Sequence, residues 1–100
     1  MWQQEFNEKK FVLAKNINSL RLERYVAQER LALESDVDRT LVSKIERQIG
    51  NPSLEILVKL AAALKVNVVM LLTDKNEILL GGLKKGKSNP LIINKSELKK

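Results

Sequence analysis

The chain has 100 residues, enough for one modest core and too few for two, and its four aromatic residues leave that core to Leu, Ile, Val and Ala. It contains no cysteine and no histidine, which excludes disulfides, zinc fingers, thiol catalysis and histidine general-base chemistry together. The formal net charge of +6 suggests an anionic partner, but only its distribution along the chain can say which part is responsible.

The N-terminal segment MWQQEFNEKK is polar and lacks the apolar stretch of a signal peptide. From about Phe6 to Arg24, apolar residues recur at Phe11, Ala14, Ile17, Leu20 and Leu22, which predicts a first helix of four or more turns. A second, short helix is expected from near Ala27 to near Glu34, with Ser35, Asp36 and Val37 as the turn that follows. Asp38 then suits the N-cap of a third helix, its carboxylate accepting the orphaned amides of the first turn. Gly50-Asn51-Pro52-Ser53 marks a loop, and Ser53 suits the N-cap of a fourth helix over Leu54–Leu64. A fifth helix is expected after Asn67, covering Val68–Leu72. Its apolar run is far short of the roughly 20 residues needed to span a membrane.

The composition then changes. Residues 78–100 carry six lysines (Lys84, Lys85, Lys87, Lys95, Lys99 and Lys100) against the single acid Glu97, which accounts for five of the six net charges. The preceding 77 residues hold 12 basic and 11 acidic side chains and are almost neutral. The chain therefore divides into a helical domain, residues 1–77, and a lysine-rich C-terminal extension, residues 78–100. The runs Ile78–Leu80 and Leu91–Ile93 could pair as a hairpin in that extension, or it could be a partly ordered tail.

Within the helical domain, Gln28–Arg47 is the most informative stretch. Two short helical patterns are separated by about three residues, so a sharp turn must join them. Ala32, Val37, Val42 and Ile45 are spaced to share one small core. The second segment then turns Arg39, Thr40, Ser43, Lys44 and Arg47 outward, and such a row of cationic and hydroxyl side chains suits a DNA major groove.

Ile17-x-x-Leu20-Arg21, Gln28-x-x-Leu31-Ala32, Val37, Val42-Ser43-Lys44-Ile45-Glu46-Arg47, Asn51-Pro52-Ser53-Leu54-x-x-Leu57, Leu60-Ala61-x-Ala63-Leu64 and Val66 occur in that order. With these motifs the chain resembles the helix-turn-helix domain of phage Cro and cI repressors and the xenobiotic-response-element group of bacterial regulators. Asp38-Arg39-Thr40-Leu41-Val42-Ser43-x-Ile45-Glu46-Arg47 is also similar to the recognition helix of restriction-modification controller proteins, with Leu41 where that group carries an aromatic residue. The resemblance implies an all-α, five-helix, lambda-repressor-like fold with a short basic extension. It further implies a homodimer that presents two third helices to two half-sites of double-stranded DNA.

On that basis Arg39 is expected to read a guanine through O6 and N7, and Thr40 and Ser43 to reach phosphate or base edges. Lys44 is expected at base or phosphate and Arg47 at phosphate. Asp38 acts first as a cap and can also orient Arg39. The resemblance places Gln28 at a phosphate beside the second helix, and Gln48 and Asn51 offer further donors from the loop after the third. It brings Arg21 and Glu46, 25 residues apart, into an ion pair that braces the first helix against the third. Val68, Val69 and Leu72 are expected at the dimer contact.

These readings converge on a cytoplasmic, sequence-specific transcriptional regulator without enzymatic activity, metal or cofactor, binding an inverted repeat and acting on its own promoter. The competing expectation is an interaction module, an antitoxin or adaptor that binds a partner protein through this domain and residues 78–100. As another option, the lysines of the extension could add nonspecific phosphate contacts.

Overall fold

The computed structural model describes residues 1–75, so the hairpin, arm and partner-binding readings of residues 78–100 lie outside the described residues. Five α-helices form within them: α1 (Trp2–Glu23), α2 (Gln28–Ser35), α3 (Arg39–Glu46), α4 (Leu54–Leu64) and α5 (Val68–Leu71). Three of the four later starts have a local cause. Asp38, Ser53 and Asn67 accept the backbone N–H of Thr40, Ile56 and Val69 through their side chains, which caps α3, α4 and α5. Ala27 stands at the N-cap of α2 and can offer no side-chain bond.

Helix α1 starts four residues earlier than the apolar pattern predicts, at Trp2. Nothing from Trp2 to Glu5 breaks a helix, and Trp2 and Phe6, one turn apart, bring their rings to 6.1 Å between centroids. The buried face of α1 also differs from the predicted stripe. Val12, Leu13, Ala14, Asn16 and Ile17 are buried, whereas Phe11 and Leu22 are 49 % and 59 % exposed. The stripe is rotated because the helix packs against both α3 and α5, which a single-face pattern does not anticipate.

The core draws on every element: Leu13 and Ile17 from α1, Leu31 and Ala32 from α2, Val37 from the turn, Val42 and Ile45 from α3, Leu57, Leu60, Ala61 and Leu64 from α4, and Leu71 from α5. The four residues expected to unite the helix-turn-helix are all there. Three polar side chains are buried among the described residues, and Ser35 and Thr73 bond within their own turns, to the carbonyls of Leu31 and Val69. Asn16, 4 % exposed, directs its amide Nδ2 to the carbonyls of Met70, Leu71 and Thr73 at 3.1, 3.0 and 3.0 Å. Lys9 Nζ donates to the Leu72 carbonyl at 3.2 Å, so α1 caps the C-terminal end of α5 from the side.

Four turns among the described residues hold a left-handed residue, and none of the four is a glycine. Tyr25, Asp36, Lys65 and Gln48 lie at φ 56°, 58°, 60° and 64°, where a side chain costs about 1 kcal/mol relative to glycine. Lys65 is exposed and closes α4, where its N–H returns to the Ala62 carbonyl. Lys65→Gly is therefore expected to stabilise the domain by about 0.5–1 kcal/mol, since the relief of strain exceeds the added freedom of the unfolded chain. Thermal melting checks this, and an unchanged or lower midpoint would contradict it.

Candidate nucleic-acid interface

Helix α3 has eight residues, and its geometry follows from its period. At about 100° per residue, Arg39, Thr40, Ser43, Lys44 and Arg47 fall within an arc of about 140°, and Val42 and Ile45 point the other way. Val42 and Ile45 are 0 % and 2 % exposed; Arg39, Thr40, Lys44 and Arg47 are open to solvent and Ser43 is half-buried. Leu41 is half-buried and packs on the core. The outward row is thus held rigidly from behind by the inward one.

The outward side chains are partly organised already. Arg47 Nε donates to Ser43 Oγ at 3.2 Å and to the Ser43 carbonyl at 3.4 Å, so these two residues act as one unit near the end of α3. Asp38 Oδ1 accepts the Thr40 N–H at 3.3 Å, in the capping role expected of it. Arg39 points into solvent with Nη2 3.4 Å from the Glu29 carboxylate on α2. Gln48 and Asn51 are exposed in the loop after α3, near the same end as Arg47.

Behind this face lies a polar hub. Arg21 Nε and Nη2 donate to the two oxygens of Glu46 at 2.7 and 2.9 Å, a two-pronged pair whose side chains are 12 % and 9 % exposed. Asn18 Nδ2 and Gln28 Nε2 each donate to Glu46 Oε1 at 3.1 Å, and Arg21 Nη1 reaches the Val26 carbonyl at 2.9 Å. Burial disfavours the Glu46 carboxylate. The hydrogen bonds from Arg21, Asn18 and Gln28 and the arginine's charge outweigh it and hold its pKa below the usual range. The bond to Glu46 raises the pKa of Arg21 in turn.

The hub ties α1, α2 and α3 together directly behind the outward row. It includes Asn18, whose place no motif indicated, although it lies one turn before Arg21 on the same helix. Gln28, expected at phosphate, spends one amide hydrogen on Glu46 and keeps the other.

At the far end of the domain, Val69 and Met70 are 42 % and 45 % exposed, whereas Val68 and Leu72 are half-buried against the core. Of the three residues expected at a dimer contact, Val69 is the open one, and Met70 extends the apolar surface beside it. Among the described residues, no helix is long and apolar enough to cross a membrane, and no group of His, Cys, Asp or Glu has the arrangement of a metal site.

This arrangement is that of a helix-turn-helix domain, and comparison with known proteins agrees. The Helix-turn-helix family matches residues 17–71, from the last two turns of α1 to the end of α5. The chain belongs to the Cro/cI-type helix-turn-helix family. It is 40 % identical over 75 residues to the control protein C.SmaI of Serratia marcescens, covering 72 % of this chain and 89 % of that one. The crystal structure of the hypothetical transcription factor NHTF from Neisseria superposes with a TM-score of 0.69 at 39 % identity, over 72 % of this chain and 83 % of that one. The restriction-modification controller protein C.AhdI from Aeromonas hydrophila gives a TM-score of 0.60 at 34 % identity, over 62 % of this chain and 94 % of that one.

Proposed function

We propose that the protein is a sequence-specific DNA-binding transcriptional regulator of the restriction-modification controller type. It binds an inverted repeat in double-stranded DNA as a homodimer, acts on its own promoter in the cytoplasm, and carries out no enzymatic reaction. The division of α3 carries this reading: one side is locked into the core and the other presents Arg39, Thr40, Ser43, Lys44 and Arg47 to solvent. Control proteins among its relatives support the controller assignment.

In this reading α3 enters the major groove and Arg39, at its first turn, reads guanine through O6 and N7. Thr40 and Lys44 reach base edges or phosphates next to it. Ser43 and Arg47 act jointly at a phosphate, with Gln48 and Asn51 beyond them. The free hydrogen of the Gln28 amide and the N–H groups at the start of α2 hold a further phosphate. The open Val69 and Met70, with Val68 and Leu72 beneath them, form the two-fold contact that sets the spacing of the two helices.

Selection from a duplex library with a randomised core tests this. The parent is expected to enrich a two-fold-related sequence with a guanine in each half. Arg39→Ala is expected to lose that guanine, with about 1–3 kcal/mol of discrimination gone per half-site. The same base preference in parent and Arg39→Ala would overturn the assignment.

A further inference from the structure

Glu29 is an acid in an unexpected place. It occupies the second position of α2, where a carboxylate favours the helix dipole, but it also stands beside the surface that α3 presents outward. Its Oε2 lies 3.4 Å from Arg39 Nη2, and the two side chains are 64 % and 60 % exposed. Stability alone gives this pair little reason to exist, because open ion pairs contribute little to folding. Near DNA the carboxylate is a liability, since it repels the phosphates that the neighbouring cations attract.

The geometry of a guanidinium resolves the conflict. Arginine offers five N–H donors in a planar fork. A carboxylate paired by charge with the Nη2 side of the fork still leaves a two-donor edge, and a guanine needs two donors for O6 and N7. Glu29 can therefore keep its hold on Arg39 while Arg39 meets a guanine, and it limits the directions in which the free edge points. On DNA that supplies no matching acceptor pair, the carboxylate's repulsion is not compensated.

We infer that Glu29 is a specificity-determining positioning residue. It orients Arg39 across the helix-turn-helix and lowers affinity for DNA that lacks the guanine Arg39 reads. This inference rests on the base-reading role of Arg39 proposed above.

The test uses the full chain and two probes at one salt concentration: the duplex most enriched by the parent and a scrambled duplex of the same composition. Glu29→Gln is expected to tighten binding to the scrambled duplex without a matching gain on the enriched one, so the ratio of affinities falls about threefold. Glu29→Asp keeps the charge but shortens the reach. It is expected to weaken binding to the enriched duplex while leaving the scrambled one as in the parent. In an Arg39→Ala background, Glu29→Gln is expected to change both affinities by the same factor.

A parent-like ratio in Glu29→Gln, or an equal fall in ratio with and without Arg39, would overturn the inference and leave base reading by Arg39 intact. Parent-like base preference in Arg39→Ala alone would remove both.

Discussion

Replacing Glu46 by alanine is expected to lower the stability of the domain by about 2–4 kcal/mol at neutral pH, far more than an exposed ion pair would account for. The substitution takes the hydrogen-bonded carboxylate away from Arg21, whose side chain is 12 % exposed in the parent, and it removes the acceptor for Asn18 and Gln28. For a domain of this size the melting temperature is expected to fall by roughly 10–20 °C. Glu46 has a lowered pKa in the folded state, so its contribution is present above the ordinary carboxylate range and is lost as the pH falls through the folded value. The melting temperatures of parent and Glu46→Ala should therefore converge in acid. Equal midpoints at neutral pH would show that the hub does not brace the fold. The base preference of the folded fraction should stay close to that of the parent, because Glu46 faces α1 and not the outward row.

That separation between bracing and reading explains how much could be seen in the sequence. The caps at Asp38, Ser53 and Asn67 were legible because capping depends on a side chain and an amide two or three residues away. The two sides of α3 were legible because one helical period sorts Val42 and Ile45 from Arg39, Thr40, Lys44 and Arg47. The Arg21–Glu46 pair is not local, and only the family resemblance placed its partners together across 25 residues. The pairing of Glu29 with Arg39 has no local signature, because it depends on how the turn at Asp36 directs α3 relative to α2.

The buried face of α1 departs furthest from the apolar pattern. The apolar recurrence places Phe11 and Leu22 on the inner stripe, and the structure exposes both and buries Asn16. Asn16 is buried because its partners are carbonyl groups 54 to 57 residues later, at the end of a helix too short to satisfy them itself. A polar residue whose function is to meet distant backbone has no signature in the sequence around it.

Asn16 accordingly carries the second large expectation. Asn16→Leu retains most of the volume but removes both amide hydrogens, leaving the buried acceptors at Leu71 and Thr73 without this donor, while the Met70 carbonyl keeps the Thr73 N–H. The expected loss is about 2–3 kcal/mol, the penalty for orphaned buried acceptors. Asn16→Asp should cost more at neutral pH, because it places a carboxylate against three carbonyl oxygens and charges a site that is 4 % exposed. Thermal melting should thus rank parent above Asn16→Leu above Asn16→Asp, and an aspartate variant as stable as the leucine variant would refute the hydrogen-bond account. The consequence reaches beyond stability, since the capped helix bears Val69 and Met70. If those residues form the two-fold contact, Asn16→Leu should shift sedimentation toward monomer and weaken binding to a full inverted repeat. Preference for the same base within a single half-site should persist, because α3 and the hub behind it are untouched.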